Sequence, residues 1–423
     1  MPADKELMRA PKGMLDVLPP ESARWMDLVA RFAGLATRFG FGLVITPIVE
    51  HYDVFARIGD STDVVRKEMY DFVDRGGRRL ALRPEGTAPV VRAFVQHRPS
   101  LPWKVWYVAP NFRAEQPQAG RYRQHWQLGV EVLGVDDPDV DVEVIALAHD
   151  FYRDLGLRDI RLLVNSMGDA ESRARYREVL LAYWRDHADL IGGEMERAEA
   201  NPLRILDSKR PDWQDMLERA PQLGAYLTDA SAAHFARVQE GLRALGIQFE
   251  IAPRLVRGFD YYTGTVFEFQ SDALDAAQNA VGGGGRLDRL AEEMGGPPTP
   301  ALGFGIGIER LLLVCEAEGV SPVPTSGIDV FVVDAVGTID ASVLLYELRE
   351  EGLSADRSYG GRTLKRQLAA ADKSGAAWSV MLLPAEWAEG LVKVKDMASG
   401  KEHPVRREEA AGWLRMRKDE TPS

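Results

Sequence analysis

A helical, highly charged stretch separates two regions with the texture of β-strands, and this interruption limits the folds open to the chain. The stretch runs from Ser166 to Glu250 and contains few β-branched runs. Strand patterns end before it in WQLGVEVLG and return after it in RLVRGFDYYTGTVFEF. We therefore predict one strand-containing domain, formed by residues 1–165 and 251–320, that is interrupted by a helical insertion at residues 166–250.

A second, smaller module follows the segment EGVSPVPTSG, which we interpret as a linker because Pro, Ser and Gly lie there between two apolar segments. Beyond it, strand patterns (IDVFVVDA and AWSVMLLP) and helix patterns (SVLLYELREEG and RTLKRQLAAADKSG) occur together. This combination indicates a compact α/β domain, which we place at residues 328–423.

The composition is that of an ordinary globular protein and argues against several classes of function. The chain has 423 residues, of which 45% are apolar, but no apolar run approaches the roughly 18 residues that suggest a membrane span. Its first residues lack the apolar core of a signal peptide, so we expect a cytoplasmic protein. Cys315 is the single cysteine, which argues against a disulfide and a structural zinc site. The net charge of −12 argues against unspecific coating of nucleic acid, although a local basic face stays open.

Residues 111–134 combine a strand pattern with a turn-rich loop. Alternation along the strand puts Gln127, Gly129 and Glu131 on one face, where the glycine leaves room for a ligand. The same region contains three arginines, Arg113, Arg121 and Arg123. Arginines near a carboxylate would suit a ligand that carries both phosphate and amine groups. The alternative is an edge hairpin with a solvated, charged face.

The segment LRPEGTAPVVRAF predicts a chain reversal directly before a helix. Pro84 and Gly86 favour the turn, so Glu85 and Thr87 would lie at the reversal. Residues of these types at such a place are candidates for a binding site, but they often do no more than cap a helix.

Two glycine-rich segments lie further along the chain. Consecutive glycines, as in VGGGGRLDRL, cost backbone entropy and usually mark the close approach of a ligand or another chain, although a flexible loop explains them equally well. The spacing GxxxxGK[ST] of a phosphate-binding loop does not occur in the sequence. If a nucleotide binds, arginines must therefore hold its phosphates.

The second glycine-rich segment, ALGFGIGIERLLLV, predicts a strand that runs into a helix. Its glycines, Gly303, Gly305 and Gly307, alternate on one strand face and would form a flat strip on which a planar ring could lie. Arg310 falls in the first turn of the helix, where a cation opposes the helix dipole unless an anion is near. A plain buried strand and helix is the alternative.

The carboxyl-terminal domain contains a candidate RNA-binding helix, GGRTLKRQLAAADK. At about 100° per residue, one arc of this helix carries Arg362, Lys365, Arg366 and Lys373. The opposite side carries Leu364, Leu368 and Ala371. A basic face of this kind fits contact with RNA phosphates, whereas a solvated amphipathic helix is the alternative.

Taken with LVRGFDYYTG, these segments resemble the histidyl-tRNA synthetases, a branch of the class II aminoacyl-tRNA synthetases. The segment FRAEQPQAGRYR is similar to class II motif 2, and GFGIGIERLLL is similar to motif 3. VITPIVEHYDVF, with Pro47, is similar to motif 1, which builds a dimer interface in the family. The segments RGFDYYTG, RPEGTAP and QLGVEVLG resemble those that select histidine.

The resemblance implies an α+β fold: an antiparallel catalytic sheet flanked by helices, a helical insertion, and a carboxyl-terminal α/β domain that reads the anticodon. It also implies a homodimer that activates histidine with ATP and Mg²⁺ and then transfers histidine to the 3′-terminal adenosine of histidine tRNA.

The site residues that the resemblance implies fall into three groups. Arg257 and Arg113 would be catalytic and face the α-phosphate of ATP, while Arg310 would hold the γ-phosphate and Gly303 and Gly305 would border adenosine. Histidine would contact Glu85, Gly86, Thr87, Gln127, Glu131, Tyr261 and Tyr262, with Glu131 and Tyr262 on the imidazole nitrogens. The tRNA would contact Gln116, Arg121 and Arg123 besides the basic helix, and no residue is assigned to a metal.

The sequence departs from the family pattern at three places, and the same resemblance raises one alternative assignment. Gln116 stands where the family commonly has an arginine associated with the extra 5′ guanosine of histidine tRNA, and Phe259 stands where leucine is more usual. His125 and Trp126 replace a more usual aromatic and histidine pair, which we interpret as a packing variation. The rival is a histidine-sensing regulatory subunit of ATP phosphoribosyltransferase, whose relatives generally lack the carboxyl-terminal domain.

Overall fold

A computed structural model describes residues 7–59, 64–206, 208, 210–257, 261–274, 279–320, 328–337 and 339–420. The chain divides into two compact units, Met1–Pro322 and Val323–Ser423. Most of the predicted linker falls on residues 321–327, which lie outside the described residues, as does Phe259.

The first unit is built on a large sheet. Its strands are β1 (Gly42–Leu43), β2 (Val49–His51), β3 (Asp71–Val73), β4 (Arg79–Leu82), β5 (Trp103–Phe112), β6 (Gln124–Leu133), β7 (Ile160–Ser166), β8 (Glu250–Ile251), β9 (Thr263–Ser271), β10 (Ala280–Arg286) and β11 (Ala301–Gly307). Eight of them form one sheet in the order β1-β5-β6-β11-β10-β9-β7-β8, and β2-β4-β3 form a small second sheet. Within the large sheet, only the β1–β5 and β7–β8 pairs of the described strands are parallel.

Helices flank this sheet. They are α1 (Glu21–Arg38), α2 (Tyr52–Gly59), α3 (Thr87–His97), α4 (Pro138–Asp154), α5 (Ala170–Asp186), α6 (Ala188–Ile191), α7 (Met195–Ala200), α8 (Leu203–Leu206), α9 (Gln214–Glu218), α10 (Asp229–Ala244), α11 (Leu290–Glu293) and α12 (Ile308–Ala317). Six described helices, α5 to α10, lie between β7 and β8. Phe235, Val238 and Leu242 of α10 are buried in the core of the large sheet, so only α5 to α9 form a core of their own within the predicted insertion. Two of its helices begin at side-chain caps, because Asp169 accepts from Ser172 N at 2.7 Å and Thr228 accepts from Ser231 N at 3.3 Å.

Because side chains alternate along each strand, one face of the large sheet packs in the apolar core and the other carries the polar and glycine positions. Leu128, Val130 and Val132 of β6 are buried in the main core together with Leu302, Phe304 and Ile306 of β11. Aromatic side chains from the helices complete this core, and the Phe32 and Phe151 rings meet edge to face at 5.1 Å. The residues between these positions, including the polar and glycine positions of both strands, therefore face the other way.

The second unit is an α/β domain. It contains β12 (Val330–Asp334), α13 (Asp340–Glu350), β13 (Ala355–Arg357), α14 (Leu364–Ser374), β14 (Trp378–Leu382), α15 (Pro384–Ala388), β15 (Leu391–Asp396), β16 (Glu402–Arg406) and α16 (Ala410–Glu420). Its sheet has the order β13-β12-β14-β15-β16. Residues of α13 and α16 pack on one face of this sheet, and Ala371 of α14 packs on the other.

The predicted basic helix is correct in part. Lys365, Arg366 and Lys373 are exposed on α14, but Arg362 precedes the helix because Gly360 and Gly361 turn the chain with φ values of +77° and +61°. Leu364, predicted on the apolar side, is exposed.

A polar residue takes the buried place on α14. Gln367 donates to Asp334 O at 2.6 Å and accepts from Asp334 N at 2.9 Å. This pair of bonds to the end of β12 sets the rotation of the helix, so Leu364 turns toward solvent.

Among the described helices, none combines the length and the apolar composition needed to cross a membrane.

Candidate active site

A cleft of about 1090 Å³ lies on the polar face of the large sheet. Most of the predicted site residues line it, namely Glu85, Thr87, Arg113, Arg121, Gln127, Arg257, Tyr261, Tyr262, Gly305 and Arg310. They come from five different strands or the segments beside them, so the sheet is the scaffold that brings them together.

Glu131 is not among the described residues that line the cleft, but it is buried beside Thr87, which does line it, with 1% of the Glu131 surface exposed. Its Oε1 accepts from Thr87 Oγ1 at 2.7 Å, whereas its Oε2 has no hydrogen-bond partner among the described residues. Burial, with a smaller contribution from the neighbouring Glu85, raises the pKa of this carboxyl well above its usual range. A buried carboxyl oxygen without a partner is costly unless a ligand donates to it.

Glu85 does cap a helix, and it also belongs to the site. Both of its oxygens accept from the start of α3, at 2.7 Å from Thr87 N and 2.7 Å from Ala88 N. Burial nevertheless raises the pKa of the Glu85 carboxyl. Arg113 Nε donates to Pro84 O at 2.9 Å and so connects this turn to the loop after β5.

Two glycines of β11 lie beneath side chains of the neighbouring strand β6. A Cβ atom at Gly305 would lie 1.5 Å from Gln127 Nε2, and one at Gly303 would lie 1.9 Å from Glu131 Oε2. The prediction of a bare strip is therefore wrong at these two positions, because the side chains of β6 lie across them. Gln127 is held there by Asn111, whose Nδ2 donates to Gln127 Oε1 at 2.7 Å.

The four consecutive glycines form part of strand β10, so the flexible-loop alternative is wrong. At Gly283 a Cβ atom would lie 2.8 Å from Arg257 Nη1. The glycine thus leaves space for this guanidinium, which donates to Glu268 Oε2 at 2.6 Å. The guanidinium carbon of Arg257 lies 5.7 Å from the centre of the Tyr262 ring, and the Tyr261 and Tyr262 rings are 4.8 Å apart.

Six described arginines line the cleft, and four of them are predicted site residues: Arg113, Arg121, Arg257 and Arg310. Arg310 Nε donates to Ala280 O at 2.7 Å, at the start of β10. Burial, together with the positive charge of Arg121, lowers the pKa of Arg310. A concentration of positive charge in a partly buried cleft would be stabilised by a polyanion.

The three residues of the β5–β6 loop that were predicted to contact tRNA lie in different surroundings. Arg121 lines the cleft, whereas Gln116 is exposed. Arg123 turns back on the loop, where its Nε donates to Glu115 O at 3.1 Å. The structure therefore brings only Arg121 of these three into the lining of the cleft.

Tyr107 is a residue of this region that sequence reasoning missed. It is 3% exposed, and its ring fills the space beside two glycines, since a Cβ atom at Gly86 or at Gly129 would lie 2.4 Å from it. Its hydroxyl group has no hydrogen-bond partner in the part of the chain that the structure describes. The signal for it was the pairing of Tyr107 with Gly129, which becomes visible once the register of β5 and β6 is known.

His125 was predicted to be a packing variation, and the structure adds an electrostatic feature. It lines the cleft beside Arg113 and Arg121. Burial, followed by repulsion from Arg113, lowers the pKa of His125 to about 3. Its ring is therefore neutral at pH 7 and adds no further charge to the arginine cluster.

The antiparallel sheet, with arginines on its polar face and a glycine strand that runs into a helix, defines a class II aminoacyl-tRNA synthetase. Comparisons with family models show to which branch of the class II synthetases the chain belongs. The model described as histidyl-tRNA synthetase matches residues 13–311, and the model described as anticodon binding domain matches residues 330–417. The chain therefore belongs to the histidyl-tRNA synthetase family, which confirms the predicted family, fold class and kind of enzyme.

Individual relatives agree with this assignment. A histidine–tRNA ligase from Streptomyces coelicolor is 46% identical over 418 residues, which cover 97% of this chain and 97% of that protein. The apo histidyl-tRNA synthetase from S. aureus superposes with a TM-score of 0.83 at 34% identity and covers 97% of this chain and 100% of that chain.

A solved structure from Bacillus halodurans bears on the regulatory rival. It is described as an ATP phosphoribosyltransferase regulatory subunit/histidyl-tRNA synthetase, and it has a TM-score of 0.61 at 23% identity, with 83% of this chain and 93% of that chain covered. This likeness shows the fold alone. The regulatory alternative is less supported than the synthetase.

Proposed function

We propose that this protein is a histidine–tRNA ligase. It activates histidine with ATP to form histidyl-adenylate and pyrophosphate, and then transfers histidine to the 3′-terminal adenosine of histidine tRNA. The observation that carries the proposal is the buried Glu131 carboxyl, whose Oε2 has no hydrogen-bond partner among the described residues. Its Oε1 accepts from Thr87, and Thr87 lines the same cleft as the predicted arginines.

Two groups would recognise the imidazole ring of histidine. The Glu131 carboxyl and the Tyr262 hydroxyl would each pair with one ring nitrogen, which selects a side chain with two nitrogens in that arrangement. A side chain that left these buried groups unpaired would be rejected strongly. Tyr261, packed against Tyr262, would hold the phenol in place.

The α-amino group of histidine would bind at the other end of the pocket. Glu85, Thr87 and Gln127 supply carboxylate, hydroxyl and amide oxygens there. Gly86 would contribute by leaving room for the Tyr107 ring. Because Glu85 is fixed by its bonds to α3, the ammonium group would meet an acceptor already in position.

ATP would lie along the arginines. Arg257 and Arg113 would contact the α-phosphate from two sides, and Arg310 would contact the γ-phosphate. Gly303 and Gly305, expected to border adenosine, would do so only through the Glu131 and Gln127 side chains that cover them. The histidine carboxylate is already a nucleophile, so the protein has little proton transfer to perform. Its main contributions would be orientation of the two substrates and stabilisation of the charge that builds on phosphorus.

The described residues fit Mg²⁺ as a companion of the triphosphate. They contain no group of three or more His, Cys, Asp or Glu side chains that could hold a metal by itself. Mg²⁺ commonly binds through substrate phosphates, water and one or two carboxylates, and Glu268 and Glu309 are carboxylates that line the cleft. When bound, the ion would neutralise part of the triphosphate charge.

The tRNA would contact both units. The loop residues Gln116, Arg121 and Arg123 would meet the acceptor end, and Gln116 would leave the extra 5′ guanosine without the usual arginine. In the second unit, Arg362, Lys365, Arg366 and Lys373 would meet the anticodon arm. The corresponding domains are a catalytic core at residues 1–165 and 251–320, an insertion at residues 166–250 and an anticodon-binding domain at residues 328–423.

We further propose a cytoplasmic homodimer. The segment similar to motif 1 exposes three large apolar side chains, Ile45, Ile48 and Val49, and Leu43 directly before it is also exposed; Ile45 is 85% exposed. A cluster of this kind is typical of a surface that another chain covers.

Exchange of labelled pyrophosphate into ATP, measured without tRNA, tests the activation step. We expect exchange with histidine and none above background with glutamine, asparagine or phenylalanine. Exchange with another amino acid but not with histidine would contradict the proposed specificity.

A further inference from the structure

The helical insertion is hydrogen-bonded to the segment that carries the two tyrosines. Met167 N donates to Gly264 O at 2.6 Å, and Gly264 N donates to Gly168 O at 3.1 Å. These bonds join the chain entering α5 to the chain directly after Tyr262. The beginning of the insertion and the end of the tyrosine segment therefore form one unit.

A side chain of the insertion reaches further into this segment. Arg173, in the first turns of α5, is half-buried, and its Nη1 donates to Tyr262 O at 3.0 Å. Three acidic groups, Asp169, Glu293 and Asp288, and one basic group, Arg289, lie near this guanidinium. A charged donor makes a stronger bond to a carbonyl than a neutral donor does.

Strand β9 departs from regular pairing just after Tyr262. Gly285 pairs with Val266, but the next residue, Arg286, pairs with Thr263, so β9 contains two additional residues at 264–265. Irregularities of this kind interrupt the ladder of hydrogen bonds and re-aim side chains. The ladder alone therefore does not fix the direction in which Tyr262 points, and the bond from Arg173 adds a constraint at this point.

We propose that Arg173 is a positioning residue for Tyr262, through which the helical insertion controls the fit of the imidazole ring. The inference rests on the proposed role of Tyr262 as an imidazole-binding residue. The ring of Tyr262 lies beside Gly285, where a Cβ atom would be 3.0 Å from its Cδ1, and it is connected rigidly to its main chain through Cβ. A shift of its main chain would therefore carry the hydroxyl group away from the imidazole.

The test compares Arg173→Met with Arg177→Met in pyrophosphate exchange. Arg177 is a matched control, because it lies one turn further along α5 and donates to Glu199 O at 3.0 Å, entirely within the insertion. We expect Arg173→Met to raise the KM for histidine about tenfold, as for the loss of one bond from a charged donor. The KM for ATP should change less than about threefold in either variant, and Arg173→Lys should recover part of the loss.

A double-mutant cycle with Tyr262→Phe separates this proposal from the role of Tyr262. If Arg173 acts through Tyr262, the loss caused by Arg173→Met should be much smaller in the Tyr262→Phe background. Additive losses, or equal changes in the KM values for histidine and ATP, would overturn the positioning role while leaving the proposed function intact.

Three further outcomes complete the test. If Tyr262→Phe alone leaves the KM for histidine unchanged, the role of Tyr262 is wrong and the role of Arg173 falls with it. Should Arg173→Met fail to fold, Arg173→Gln, which is too short to keep the bond, replaces it in the cycle with the same expected result. If the wild-type protein shows no exchange, the proposed function fails, and calorimetric binding of histidine without ATP then decides the role of Arg173.

Discussion

In the proposed pocket, the selectivity for histidine would rest largely on the buried Glu131 carboxyl. Its two oxygens have different surroundings, since Oε1 accepts from Thr87 and Oε2 has no partner among the described residues. Protein stability alone does not explain a buried acceptor left open. A ligand nitrogen that donates to Oε2 would complete the arrangement.

We predict that Glu131→Gln lowers kcat/KM for histidine by roughly 100-fold, because an amide has one acceptor oxygen and cannot accept from both Thr87 and the imidazole ring. The KM for ATP should stay within about threefold of the wild-type value. Steady-state pyrophosphate exchange with each substrate varied in turn measures both quantities.

Glu50→Gln is the matched control, because Glu50 is also buried but pairs with Arg92 outside the cleft. It should leave the histidine preference unchanged even if it lowers the melting temperature. Equal losses for histidine and ATP in Glu131→Gln would exclude the proposed role of Glu131.

His125 should make the protein sensitive to acid. The folded state holds its ring neutral, with a pKa near 3, whereas the unfolded chain protonates histidine near pH 6.5. The unfolded state therefore binds more protons below pH 6.5, and stability is lost as the pH falls through this range. Between pH 6.5 and pH 5 this loss amounts to about 2 kcal/mol.

We expect His125→Phe, which keeps an aromatic ring without a titrating group, to reduce the acid sensitivity. Thermal melting of both proteins at pH 7.5, 6.0 and 5.0 measures the effect. The melting temperature of the wild-type protein should fall more steeply toward pH 5 than that of the variant. Parallel curves would show that His125 is not held neutral in the folded protein.

Among the elements, β11 shows how a glycine strand serves the strand beside it. The Gln127 side chain lies directly over Gly305, and the Glu131 side chain lies directly over Gly303, so neither position leaves room for a Cβ atom. We predict that Gly305→Ala displaces the Gln127 amide and weakens histidine binding about tenfold or more, through the loss of one or two hydrogen bonds. Calorimetric titration of histidine without ATP measures this loss.

Gly307→Ala provides the comparison on the same strand. A Cβ atom there would meet its nearest neighbour, Arg310, at 3.8 Å, which is an ordinary contact. Histidine binding by this variant should stay close to that of the wild-type protein. If Gly305→Ala also binds histidine normally, Gln127 does not contact the amino acid.

Helix α14 exposes basic side chains that we expect to bind tRNA. We expect the double variant Lys365→Glu/Arg366→Glu to raise the KM for tRNA at least about tenfold and to flatten its salt dependence by about one unit of slope for each lost phosphate contact. Pyrophosphate exchange without tRNA should be unchanged. Lys401→Glu/Arg406→Glu, also exposed and in the same unit, should have little effect on either measurement.

Sequence patterns predicted which side chains of β6 share a face, but not how neighbouring elements cover them. Alternation along β6 placed Gln127 and Glu131 on one face correctly, because strand periodicity is a local property. The prediction of a side-chain-free strip on β11 was wrong at Gly303 and Gly305, because side chains from the neighbouring strand β6 cover these glycines. Tyr107 was missed, and Leu364 was misplaced, for the same reason: strand register and helix rotation are set by tertiary contacts.

At the scale of the whole molecule, the exposed apolar cluster around Ile45 leads to a prediction about assembly. We expect the wild-type protein to be a dimer and Ile45→Asp to shift it toward the monomer, since a carboxylate would be buried without a partner. Sedimentation velocity at micromolar concentration measures this shift.

Ile339→Asp controls for the general effect of an exposed charge, because Ile339 is 74% exposed but lies in the second unit. It should leave the dimer intact. A wild-type monomer, or an Ile45→Asp variant that remains dimeric, would contradict the proposed interface.

The central claim is that one molecule joins histidine to its tRNA, and charging of histidine tRNA with labelled histidine tests it most directly. The account predicts ATP-dependent charging by the wild-type protein, measured on transcripts with and without the extra 5′ guanosine. Loss of charging in Arg257→Ala would support the proposed role of that residue. Tight binding of histidine with no charging of either transcript would contradict the account and would indicate a histidine sensor built on a synthetase fold.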